Sequence, residues 1–171
     1  MEVVAINDLG DLENLAYLFK YDTVYRSFPG EVKSDKQKGV LIIDDKEIKF
    51  VQEKDPAKLP WKDLGIDIVV ESTGVFESYE KAKLHLDAGA KRVVLTAPAK
   101  DADNELGKTI LLGINEGDMK KCDISSNASC TTNGISPVIA VMAESVGVEK
   151  AVLNTIHALT NTQSVVDSAV K

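Results

Sequence analysis

Short apolar runs that do not alternate with polar residues constrain this chain more than any other feature. Val3-Val4-Ala5-Ile6, Ile68-Val69-Val70 and Val93-Val94-Leu95 are of strand length. A strand without polar alternation is covered on both faces, which is the habit of parallel sheets. Helical spacing follows the first run at Leu12, Leu15, Ala16, Leu18 and Phe19. It follows the second from about Glu77 to Ala88, where Leu84 and Ala88 mark the packing side and Gly89 the end. Between them, Val40 to Ile43 and Glu47 to Val51 flank Asp44-Asp45 and predict a two-residue hairpin at a sheet edge. Thr109 to Asn115 and Asp123-Ile124-Ser125 also read as strands. The order strand, helix, hairpin, strand, helix, strand predicts an α/β, doubly wound parallel sheet with right-handed crossovers.

Composition narrows the class. The 171 residues suit one domain, or a domain and a piece of another, and 44% hydrophobic with 27% charged residues specifies a packed core. Net charge is −7, and the one basic stretch, Lys33 to Lys38, is broken by Asp35 and reads as a solvated loop, so no nucleic-acid footprint is expected. No apolar run is long enough for a bilayer and no signal-peptide pattern opens the chain, so no membrane partner is expected. Cys122 and Cys130 form neither a disulfide framework nor a C-x-x-C metal site; a reducing, cytoplasmic setting and no metal are expected.

The chemistry concentrates in Ser126-Asn127-Ala128-Ser129-Cys130-Thr131-Thr132-Asn133. Directly after it, Ile135, Val138, Ile139, Met142 and Val146 follow helical spacing, so Cys130 stands where a helix begins. Unpaired N–H groups and the positive end of the dipole favour a thiolate there. The hydroxyls of Ser129 and Thr131 are placed to hold an anionic oxygen. A turn at Ser145-Val146-Gly147 and an apolar stretch read as a strand then return the chain to His157. A cysteine and a histidine distant in sequence but adjacent in space make an activated thiol nucleophile. A buried structural cysteine is the competing assignment. His85, between Lys83 and Asp87, reads as a solvent-facing helix residue without a catalytic part.

Asp8 ends the first strand, where open parallel sheets bind ligands. It suits two roles, an acid for a ribose hydroxyl pair or the N-cap of the helix that follows. As a ribose acid it would follow a glycine-rich phosphate loop by about 20 residues. Gly10, the nearby glycine, lies on the wrong side, so the first strand, phosphate loop and first helix are expected to precede Met1. The chain then reads as a piece of a longer protein. Ser72-Thr73-Gly74, between strand and helix, lets a ligand approach the backbone closely.

Ser126 to Asn133 resembles the active-site signature of phosphorylating, NAD-dependent glyceraldehyde-3-phosphate dehydrogenases, and Thr155 to Asn161 resembles their catalytic-histidine segment. Ala5 to Leu9, Glu71 to Phe76 and Leu95 to Lys100 extend the likeness along the chain. The resemblance implies a Rossmann-type domain, partial and N-terminally truncated over 1–129, and the opening of an α+β catalytic domain over 130–171. It implies NAD as cofactor, with Asn7 and Asp8 at the adenosine, Lys54, Thr73, Gly74 and Phe76 near the adenine, and Thr96 toward the nicotinamide. It implies Cys130 as nucleophile and His157 as its base. Ser129, Thr131 and Thr160 would bind the attacking phosphate and the substrate's own phosphate. The implied reaction takes glyceraldehyde 3-phosphate and inorganic phosphate to 1,3-bisphosphoglycerate through a cysteine thioester, in a homotetramer. Erythrose-4-phosphate dehydrogenase shares the cysteine signature and is the nearest alternative. A cysteine hydrolase fits poorly with the cofactor frame, and an inactive piece serving only binding or oligomerisation is the other alternative.

Overall fold

A computed structural model describes residues 1–160, which divide into two compact units, one holding Met1–Asp55 and Ile156 onward, the other Pro56–Thr155. In the first, strand β1 (Ala5–Asn7) leads into helix α1 (Leu12–Lys20). Asp11 caps α1, its carboxylate accepting from the N–H groups of Glu13 and Asn14 at 3.1 Å each. Asp8 therefore does not cap the helix; its Oδ1 accepts instead from the N–H of Gly10 at 2.7 Å. A small hairpin follows, β2 (Tyr21–Asp22) with β3 (Arg26–Ser27). Then come β4 (Val32–Asp35), β5 (Val40–Ile43) and β6 (Lys46–Val51). The sheet order is β1-β6-β5-β4, with β6 parallel to β1 and the remaining pairs antiparallel. The expected β5–β6 hairpin is present, and Asp44 and Asp45 both adopt positive φ, 46° and 66°, as the mirror-image turn of a tight hairpin requires. It is no edge insertion, because β6 joins it to β1. The stretch expected as a solvated loop also supplies a strand, β4. Lys33 pairs across to Ile42 with its side chain exposed, and Asp35 closes the turn by accepting from the N–H groups of Gln37 and Lys38. Leu12 and Ala16 of α1 pack on Leu41 and Ile48, while Phe19, expected on that face, stays 45% exposed against Phe28.

The second unit holds the parallel sheet that the apolar runs predict: β7 (Ile68–Glu71), β8 (Arg92–Leu95), β9 (Gly107–Thr109) and β10 (Ile124–Ser126), in the order β7-β8-β10-β9. Every pairing in it is parallel, so the carboxyl ends of all its strands lie along one edge. Helix α2 (Tyr79–Asp87) connects β7 to β8, capped by Ser78, whose hydroxyl accepts from the N–H of Lys81, and followed by Gly89 at φ 108°. Its buried side is Tyr79, Ala82 and His85 rather than Leu84 and Ala88. Tyr79 and Ala82 join Val93, Leu95 and Ile124 in the core. The strand expected over Thr109 to Asn115 lies instead at Gly107–Thr109 and meets that range at Thr109 alone. Asn115 accepts from the N–H of Leu111 and donates to the carbonyl of Thr109, supplying locally what a neighbouring strand would otherwise provide. The polar segment 101–106 is tied to the start of α2. Asp101 accepts from the N–H groups of Tyr79 and Glu80 at the start of α2, and Asp103 accepts from the Tyr79 hydroxyl at 2.9 Å. Helix α3 (Cys130–Ser145) begins at Cys130. No described helix is long and apolar enough to cross a membrane.

Candidate active site at the carboxyl ends of the parallel strands

Three neighbouring strands deliver the candidate residues of the second unit to one edge. At the end of β7, Glu71 is buried and aimed back into the unit, while Ser72, Thr73 and Gly74 turn outward, exposed. Gly74 has φ +69° and open space where a Cβ would stand, so its backbone is open to a ligand. At the end of β8, exposed Thr96 donates from its N–H to the carbonyl of Glu71 at 3.0 Å and from its hydroxyl to the same oxygen at 3.3 Å.

At the end of β10, Ser126 is fully buried and works as a three-way junction. Its hydroxyl donates to the carbonyl of Ala97 at 2.8 Å and accepts from the N–H groups of Ala99 at 3.2 Å and Ala128 at 3.1 Å. Asn127 donates its N–H to the carbonyl of Leu95, tying the segment to β8. Ala128 then adopts φ 57°, a left-handed conformation that costs a non-glycine residue about 1–2 kcal/mol. These bonds hold it and turn the chain into the N-cap at Ser129.

Cys130 is exposed and opens the first turn of α3, as the sequence predicts. The Ser129 hydroxyl accepts from the N–H of Thr132 at 2.9 Å and lies 2.7 Å from the Thr132 hydroxyl, so it serves as the helix cap. Asn133 reaches back to the carbonyls of Asn127 and Ser129 at 2.6 and 2.9 Å and clamps the loop against the helix. Thr131, beside Cys130, is half-buried. The apolar face of α3 forms as spaced, yet Val138, Ile139, Met142 and Val146 are exposed among the described residues.

His157 belongs to the other compact unit. The strand expected to carry it is not formed: 151–160 have no regular secondary structure. A strand persists when a neighbour takes its N–H and C=O groups, and no strand pairs with this segment among the described residues. Val152 and Ile156 are each 97% exposed. His157 Nδ1 lies 2.6 Å from the carbonyl oxygen of Ala158, which makes that nitrogen the donor. Thr160 is exposed, and Asn161 lies outside the described residues.

In the first unit, Asn7 ends β1 with a reciprocal pair of bonds to Glu53, its amide donating to the Glu53 carbonyl at 3.0 Å and its oxygen accepting from the Glu53 N–H at 2.9 Å. That pair fixes the chain beside exposed Lys54, and Asp8 is exposed at the same strand end. His85, expected in solvent, is 4% exposed: its Nε2 lies 2.9 Å from Glu71 Oε2 and its Nδ1 accepts from Trp61 Nε1 at 3.1 Å. Burial pushes the Glu71 carboxyl up, but the bonds from His85 and Thr73 outweigh it and hold the group below its ordinary range. Nothing in the chain around His85 announces these partners; its i, i+3 spacing from Ala82, itself i+3 from Tyr79, is the signal for the buried side of the helix.

An exposed cysteine thus opens the helix that follows a parallel sheet whose strand ends at Ser72-Thr73-Gly74 and Thr96 are exposed. Residues 1–79 match the glyceraldehyde 3-phosphate dehydrogenase NAD binding domain and residues 129–171 its C-terminal domain. Glyceraldehyde-3-phosphate dehydrogenase of Thermotoga maritima is 53% identical over 168 residues, which is 98% of this chain and 49% of the relative. The enzyme of Chlamydia trachomatis is 50% identical over 171 residues, 98% of this chain and 48% of the relative. Glyceraldehyde-3-phosphate dehydrogenase 1 of Streptomyces arenae is 43% identical over 170 residues, again 98% and 49%. The chain belongs to the glyceraldehyde-3-phosphate dehydrogenase family and spans about half the length of the curated relatives it matches.

Proposed function

We propose that this chain supplies the cysteine nucleophile and cofactor-facing strand ends of an enzyme that converts glyceraldehyde 3-phosphate and inorganic phosphate to 1,3-bisphosphoglycerate. The observation that carries the reading is the placement of Cys130, exposed at the first position of α3. The helix N-terminus favours the thiolate by up to a few tenths of a kcal/mol to ~1 kcal/mol at an exposed site. The thiolate attacks the aldehyde carbon and the oxygen becomes a tetrahedral oxyanion. The Cys130 backbone N–H and His157 are its donors. His157 takes the hydroxyl proton of the thiohemiacetal as the carbon is oxidised. Inorganic phosphate, bound by Ser129 and Thr131, then attacks the thioester, releasing the product and the thiolate. Thr160 holds the substrate's own phosphate.

The outward turn at Thr73-Gly74, with its open Cβ space, and exposed Thr96 fit a dinucleotide. Asn7 and Asp8 take the adenosine ribose, Lys54 and Phe76 border the adenine, and NAD supplies the hydride acceptor when bound. Residues 1–129 are assigned to the cofactor domain and 130–171 to the catalytic domain of a cytoplasmic homotetramer. Cys130→Ser in the complete enzyme is expected to abolish aldehyde oxidation and leave NAD binding intact. Retained full turnover overturns the assignment, and faster turnover of erythrose 4-phosphate would move the chain to that substrate.

A further inference from the structure

The second unit contains a buried polar chain that the reaction itself does not use. Trp61 Nε1 has only a hydrogen to offer, so the Nδ1 of His85 is an acceptor and the ring proton sits on Nε2, directed at Glu71 Oε2. The other oxygen of Glu71 accepts from both the N–H of Thr73, at 2.7 Å, and the Thr73 hydroxyl. The Thr73 hydroxyl in turn accepts from the N–H of Val75 at 3.1 Å. The backbone carbonyl of Glu71 receives both donors of Thr96. The ring of Phe76 stands edge-on to His85 at 6.3 Å between centroids, and Trp61 stacks on it at 6.4 Å. His85 and Glu71 are 4% and 6% exposed, whereas Thr73 and Thr96 are exposed.

Three side chains at these strand ends thus rest on one buried pair: Thr73 and Thr96 on Glu71, Phe76 on His85. We propose that Trp61, His85 and Glu71 are positioning residues that set the Thr73-Gly74 turn in the geometry that accepts the adenine end of a dinucleotide and Thr96 in the geometry that accepts its nicotinamide end. The inference rests on the cofactor reading above. Glu71 spends one carboxylate oxygen on Thr73 and its own carbonyl on Thr96 at the strand ends, and its other carboxylate oxygen on His85, whose tautomer is locked by Trp61.

The test is calorimetric titration of the full chain with NAD and with ADP, for the unmutated protein, Glu71→Gln, His85→Leu, His85→Gln and the milder Trp61→Phe. Glu71→Gln and His85→Leu are expected to weaken both ligands about tenfold, the loss of one charge-assisted hydrogen bond. His85→Gln, which can donate to Glu71 and accept from Trp61, is expected to recover most of that. Amide exchange at Thr73, Gly74 and Thr96 in the ligand-free protein should rise in the two weakened variants and fall back in His85→Gln. If the variants melt earlier yet bind as tightly as the unmutated protein, with unchanged exchange at those amides, the positioning role is overturned. If the unmutated protein binds neither ligand, the cofactor reading fails. Unchanged amide exchange would then overturn the positioning role as well.

Discussion

The ring of Tyr79 occupies the space that a side chain at position 107 would need: a Cβ built on Gly107 would run into the Tyr79 ring carbons. Both residues are buried, Gly107 on β9 and Tyr79 at the start of α2, so the helix packs onto the sheet through a glycine. Gly107→Ala is therefore expected to destabilise the protein by about 1–3 kcal/mol. Gly117→Ala, where a Cβ meets nothing within 4 Å, should be close to neutral. Urea denaturation of the two variants side by side checks this.

The same tyrosine predicts an alkaline limit. Burial, with the neighbouring Asp103 carboxylate adding to it, pushes the Tyr79 phenol up to about 12. An unfolded tyrosine ionises near pH ~10. Its stabilising contribution is thus complete below that pH and is lost as pH rises toward about 12, because the unfolded chain releases a proton that the folded one retains. Tyr79→Phe should flatten the stability curve in that window and remove the late step from the phenolate absorbance titration.

Glu71 predicts the opposite limb. Its carboxyl lies below the ordinary range, so its contribution is present above the unfolded value of about 4.3 and is lost as pH falls through the folded one. Glu71→Gln should cost about 1–3 kcal/mol at neutral pH. It should also remove part of the acid dependence, which chemical denaturation at neutral and acid pH would show.

Ser126 ties β10 to the turn before Cys130. Ser126→Ala removes a fully buried hydroxyl and leaves the carbonyl of Ala97 and the N–H groups of Ala99 and Ala128, on half-buried residues, short of that partner, an expected loss of about 1–3 kcal/mol. With Ala128 at φ 57° no longer held, the thiol is also expected to react at a changed rate with a small alkylating reagent. An alkylation time course and a thermal melt measure the two effects separately.

Features under the control of short-range chemistry are legible in the residues alone. Gly89 marks its helix end, Asp44-Asp45 its hairpin turn and the apolar Val93-Val94-Leu95 a strand, although coverage on both faces did not follow: Val93 and Leu95 are buried, Val94 is half-buried, and on β7 Ile68 and Val70 are exposed. The place of Cys130 was legible for the same reason, since a cap and a helical repeat adjoin it in the chain. Tertiary structure decided the rest. The charged stretch Val32–Asp35 became a strand because β5 offered it a ladder, and 151–160 did not because no neighbour pairs with it among the described residues. His85 went inside despite flanking Lys83 and Asp87, because Trp61 and Glu71, distant in sequence, meet both of its ring nitrogens. A buried polar group is tolerated only where its partners arrive, and which partners arrive is a property of the fold, not of the residue's neighbours in the chain.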